Sequence, residues 1–162
     1  MHKIFLALAM AVLASGPVAA SEKTDVMAVM HQWVDGFNNG DMKSWVATCA
    51  DQTSIIDDIP PHEWHGAGGC SKWWDDFNAF TKANEITNGK VTLGKPRRID
   101  ITADRAYIVV PANFTYNMKG KPMKQSGSIV TVAMQKGASG WRMTGWAWGA
   151  AIDVAVKTGS GH

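Results

Sequence analysis

Apolar residues recur at helical spacing in the first half of this chain and alternate with polar ones in the second. Val26, Met30, Trp33, Val34 and Phe37 lie three or four residues apart, which predicts an amphipathic helix over 24–38. Asn38-Asn39-Gly40 ends it, and Asp41 is placed to cap a second helix with the face Met42, Trp45, Val46 and Cys49. Thr53 to Asp58 is a short β-prone segment, stopped by Pro60-Pro61. His62-Glu63-Trp64-His65-Gly66 then reads as a loop. Cys70, Trp73, Trp74, Phe77 and Phe80 give a third helix its apolar stripe.

From about Thr87 the period falls to two. Val91 and Leu93 alternate, as do Ile99 and Ile101. A long strand places Ala106, Ile108, Val110, Ala112, Phe114 and Tyr116 on one face, with Tyr107, Val109, Pro111, Asn113 and Thr115 opposite. The next strand carries Ser128, Val130, Val132 and Met134 on one face. The last puts Trp146 and Trp148 with Arg142 and Thr144, and Met143, Gly145 and Ala147 opposite. Strands apolar on one face fit an antiparallel sheet covered by helices on one side. Successive hairpins make that sheet a meander, and the class is α+β with the helices grouped first.

Residues 1–20 read as a leader. His2 and Lys3 precede an unbroken apolar run from Ile4 to Ala14, Gly16-Pro17 break it, and Val18-Ala19-Ala20 offers small residues for cleavage before Ser21. The run is shorter than the ~20 residues needed to span a bilayer. The expectation is therefore an exported protein, periplasmic or secreted, with no membrane attachment after cleavage. One domain over 21–153 is expected, with a frayed tail over 154–162. Export also bears on Cys49 and Cys70, the two cysteines of the chain. An oxidising compartment favours a disulfide between them, and the alternative is two buried thiols.

Charge narrows the partners. The formal +2 of the whole chain includes Lys3, so the processed chain carries +1. That balance gives no electrostatic case for nucleic acid. The eight tryptophans all lie beyond the leader, and Trp both fills cores and lines pockets.

Candidate chemistry is sparse. Asp57-Asp58 either solvates the turn before Pro60-Pro61 or faces a cavity as a base. Asp58, His62 and His65 match no strong metal-ligand spacing, so no metal is expected. No cofactor fingerprint, nucleophile elbow or serine triad is present. Trp33, Trp73, Trp74, Trp146 and Trp148 are core residues by default and candidate cavity walls. His62, His65, Asn113, Tyr116 and Ser128 are candidate polar contacts to a ligand.

Together these patterns resemble the nuclear-transport-factor-2-like superfamily, in its SnoaL-like and ketosteroid-isomerase-like branch. The resemblance covers residues 24–150. It is carried by Trp33-Val34-Asp35-Gly36-Phe37-Asn38-Asn39-Gly40-Asp41, by Ser54-Ile55-Ile56-Asp57-Asp58, by His65-Gly66 before the third helix, and by the final Gly-Trp-Arg-Met-Thr-Gly-Trp strand from Gly140. It implies a cone, a cystatin-like α+β roll whose curved antiparallel sheet wraps around the N-terminal helices to leave a pocket. It also implies a homodimer formed through the sheet. In the isomerase branch the base is a carboxylate at the end of the first strand, which places it at Asp58, with Asp57 as second choice. The oxyanion tyrosine position carries Trp33, and the late-strand acid position falls near Gly127-Ser128, so steroid isomerisation itself is not expected.

The leading expectation is thus an exported pocket protein for a small, mostly apolar molecule. Two alternatives stand beside it. One is an acid/base enzyme (isomerase, dehydratase, cyclase or hydrolase) using Asp58 or Asp57. The other is an interaction module that works through its sheet face.

Overall fold

A computed structural model of the protein describes residues 17–156. The elements are α1 (Pro17–Asn38), α2 (Met42–Val46), β1 (Cys49–Ile56), β2 (Glu63–Ala67), α3 (Gly69–Ala83), β3 (Ile86–Leu93), β4 (Arg98–Thr102), β5 (Arg105–Met118), β6 (Lys121–Gly137), β7 (Gly140–Gly149) and β8 (Asp153–Ala155). No described helix is long and apolar enough to cross a membrane. The apolar run of the expected leader lies outside the described residues. Its small-residue end does not: Val18-Ala19-Ala20 lies within α1, which extends beyond the 24–38 expected from spacing alone.

The helices cover one face of a curved, open sheet in the order β2-β1-β7-β6-β5-β3, with β4 paired to β5 and β8 to β6. The long-strand face is as expected: Ala106, Ile108, Val110, Ala112 and Tyr116 are buried, and Phe114 is half-buried among them. Val26, Met30 and Trp45, fully buried, bring α1 and α2 down onto it. The α1–α2 corner is tight because position 36 has no side chain. A Cβ there would sit 2.9 Å from the Trp45 backbone nitrogen.

Five expectations are corrected. The sheet is not purely antiparallel: β1 pairs with β7 in parallel, Ile55 opposite Trp146. β2 takes the outer edge of β1, so the chain returning from the β6–β7 hairpin fills the inner edge in the same direction. The segment read as a loop after Pro61 holds strand β2, in which buried Trp64 alternates with exposed Glu63 and His65. Cys49 is not on α2, which ends at Val46. Thr48 caps that end through Oγ1 to the Trp45 carbonyl at 2.7 Å, and its carbonyl accepts the Met143 N–H at 2.8 Å, so the chain is already in the sheet at Cys49. In β7 an irregularity at Thr144 breaks the alternation, so Trp141 and Met143 are buried like Trp146, away from Arg142. Val154, placed in the frayed tail, belongs to β8, while residues 157–162 lie outside the described part.

Cys49 and Cys70 form a disulfide with Cα atoms 6.6 Å apart, tying the start of β1 to the start of α3. Closing that loop stabilises by about 3 kcal/mol if the bridge is unstrained. The double variant Cys49→Ser/Cys70→Ser should therefore unfold at a lower urea concentration, by about that free energy. An unchanged midpoint would show that the bridge adds nothing.

Candidate functional site

The site lies where β1 runs out. Strand alternation puts Asp57 on the same inward face as Ile55, and its residue is 9% exposed. Asp58, the next residue, is the more exposed of the two and reaches the same cavity from its rim. Trp73 on α3 donates its indole N–H to Asp57 Oδ2 at 3.0 Å. Burial, followed by the neighbouring Asp58, pushes the Asp57 carboxyl up to about 8. Asp57 therefore holds its proton at neutral pH and forms a carboxyl dyad with Asp58.

Gln125 completes the dyad from β6. Its Nε2 donates to Asp58 Oδ2 at 2.8 Å, while its Oε1 accepts the Trp148 indole N–H at 2.9 Å. An indole can only donate, so the amide oxygen must face Trp148 and the NH2 must face Asp58. Ser128 Oγ adds a longer contact to Gln125 Oε1 at 3.5 Å and accepts the Ala151 N–H at 3.0 Å. On the far side, burial and then the Asp153 carboxylate push the Tyr116 hydroxyl above its ordinary range.

These groups open onto a cavity of about 200 Å³. Its walls include Trp33, Trp73, Trp146, Trp148, Phe77 and Phe114. Trp33 and Trp146 meet edge to face with centroids 5.4 Å apart, and their buried indole N–H groups have no hydrogen-bond partner among the described residues.

Of the residues singled out from sequence, Asp57, Asp58, Trp33, Trp73, Tyr116, Trp146 and Trp148 line this cavity. Five do not. Trp74 packs in the core against Trp45 at 5.3 Å, because the phase of α3 aims its neighbour Trp73 at the cavity instead. Asn113 is on the outer face of β5, where its Oδ1 accepts the Gly127 N–H at 3.4 Å. Ser128 sits behind Gln125, fully buried. His62 holds the turn: its carbonyl accepts the Asp57 N–H at 3.0 Å, and its Nδ1 lies 3.2 Å from the Asp57 carbonyl oxygen. His65 is exposed on β2 and pairs with Glu63 at 3.3 Å.

Gln125 and Asp153 are site residues that sequence reasoning missed. Counting back from Ser128 by twos puts Gln125 on the outer face. An irregularity between Ala112 and Asn113, with Gly127 at φ +87° on β6, resets the phase and turns Gln125 inward opposite Phe114. A glycine inside an otherwise alternating strand was the available signal.

A bent, open sheet folded over helices, with a carboxyl pair at the mouth of an apolar chamber, defines a nuclear-transport-factor-2-like protein. Residues 26–148 match the SnoaL-like domain, and the chain belongs to that family. Solved structures share the fold. A hexachlorocyclohexane dehydrochlorinase from Novosphingobium barchaimii superposes with a TM-score of 0.73 at 8% identity, over 86% of this chain and 93% of that one. A nuclear transport factor 2-like superfamily protein from Salmonella enterica gives 0.69 at 15% identity, over 89% and 99%. A ketosteroid isomerase-like protein from Erwinia carotovora gives 0.61 at 15%, over 80% and 95%. At such identities the likeness establishes the fold alone. No curated protein matches the sequence.

Proposed function

We propose that the protein binds a small, mostly apolar molecule in this cavity and that the Asp57–Asp58 dyad moves a proton on it. The observation that carries this reading is a buried carboxyl, Asp57, beside a second, more exposed one, Asp58, in an aromatic chamber. Asp57 is the donor, since it keeps its proton up to about pH 8. Asp58 is the acceptor: Gln125 offers it an N–H, as a carboxylate requires. A proton then passes from a ligand C–H or O–H to Asp58, while Asp57 protonates or hydrogen-bonds a ligand heteroatom. The fold is shared with proteins named for a dehydrochlorination and for an isomerisation, which supports this class of chemistry.

Action outside the cytoplasm belongs to the same proposal, supported by the leader pattern and by the disulfide. So does a homodimer through the outer sheet face, where Tyr107 is an exposed aromatic. The interaction-module alternative requires a cavity filled by the protein's own side chains, which is not what surrounds Asp57.

The first test is a native mass spectrum of gently purified protein, which reads retained ligand and subunit number together. A bare spectrum, with no heat of binding from a broad apolar panel, sinks the pocket reading. For turnover, Asp57→Asn should lower the rate on any substrate found by about 10²-fold or more, the usual worth of a positioned acid or base. Full activity in both Asp57→Asn and Asp58→Asn would end the acid/base assignment.

A further inference from the structure

The chamber has a one-sided chemistry. Nine of its eighteen lining residues are aromatic, three are aspartates, and none is Lys, Arg or His. Asp58 receives a hydrogen bond from a neutral group, the Gln125 amide, and Asp153 lies beside the Tyr116 hydroxyl, whose proton it helps to hold. Neither aspartate is in an ion pair among the described residues. An anionic ligand would meet carboxylates with no counter-charge. A neutral ligand would gain dispersion against the rings and leave the field of the carboxylates unanswered. A cation gains on both counts, from ring faces inside the chamber and from charge at its exposed rim, where Asp58 and Asp153 lie.

We propose that the occupant of this cavity is a small organic cation, a quaternary ammonium or protonated amine, held between aromatic walls and the Asp58 and Asp153 carboxylates. This rests on the pocket reading above and narrows it to a class of ligand. At about 200 Å³ the cavity is below the ~300–1,000 Å³ typical of drug-sized sites, so the cation has few heavy atoms. The dyad then faces a substrate whose positive charge lowers the cost of removing a nearby proton.

Calorimetric titration of the purified protein with choline, and with the isostere in which carbon replaces its quaternary nitrogen, separates the two levels of the proposal. The hydroxyl and the shape are shared, so the difference reads the charge. Choline should bind about tenfold tighter or more, as desolvated cation–π contacts imply. Asp153→Asn should weaken choline about threefold or more and leave the isostere unchanged. Since Asp153 also belongs to β8, Asp58→Asn is measured beside it and should show the same selective loss. Equal affinities, or a tighter isostere, overturn the cation assignment and leave the apolar pocket standing. Binding of neither at millimolar concentration overturns both.

Discussion

Replacing Asp57 by asparagine should make the folded protein more stable at pH 9 while removing its acid. The sign follows from the proton. The Asp57 carboxyl titrates near 3.8 in an unfolded chain and near 8 in the fold, because burial and then Asp58 oppose its charge. Between those values the folded state keeps a proton that the unfolded state has released. Stability therefore falls as pH rises from about 4 to about 8 and levels off above that. Below the unfolded value the group makes no difference. A shift of that size corresponds to a loss on the order of 5 kcal/mol across the window.

The Asp57→Asn variant avoids the loss. The amide oxygen can still accept from Trp73, and the amide NH2 is placed to donate toward Asp58. Urea unfolding of the protein and of Asp57→Asn at pH 5, 7 and 9 gives the test. The difference between them, in which titrating groups away from the dyad cancel, should grow with pH in favour of the variant by several kcal/mol. Parallel curves would show that the carboxyl is not desolvated.

The second large effect is expected at Trp45. Its side chain is fully buried and stacks on Trp73 with centroids 4.8 Å apart and planes 17° apart. It also meets Trp74 at 5.3 Å and the edge of Trp146 at 6.3 Å. Trp45→Ala removes this hub and should cost about 3–5 kcal/mol, the range for large aromatic truncations in cores. No side-chain hydrogen bond is lost, because the indole N–H has no partner among the described residues. Trp45→Phe should cost clearly less, since a phenyl ring refills part of the space. Urea midpoints of both variants measure the pair. A loss under about 1 kcal/mol in the alanine variant would mean that the neighbours collapse into the gap.

Much of the fold was legible because its signals are local. The 3.6-residue spacing of Val26, Met30, Trp33 and Phe37 marks α1, and the alternation from Ala106 to Tyr116 marks β5 and its inward face. Elements that depend on partners were not legible. β2 is too short and polar to show alone, and exists because Trp64 finds a pocket beside β1. The parallel β1–β7 pairing is a decision about sheet order, which no single segment encodes.

The site divides in the same way. Asp57 and Asp58 stand out as paired acids at a strand end, although resemblance favours Asp58 and the structure buries Asp57. Gln125 was hidden by a shift of one residue at Gly127, since such a slip exchanges the two faces of a strand. Trp73 and Trp74 differ by one position on α3, about 100° of rotation, and spacing alone cannot say which of two adjacent tryptophans meets the cavity.

The aromatic cluster also has an optical consequence. Trp33–Trp146, Trp146–Trp73, Trp73–Trp45 and Trp45–Trp74 form an unbroken chain of indoles with centroid separations of 5.4, 5.2, 4.8 and 5.3 Å. At such spacings an excitation does not stay on the ring that absorbed it. It migrates to the member of lowest energy before a photon leaves. The fluorescence of the whole cluster is thereby reported by one or two rings, and three members of the chain, Trp33, Trp73 and Trp146, touch the cavity. A molecule entering the chamber changes the colour and lifetime of light gathered by tryptophans it never meets.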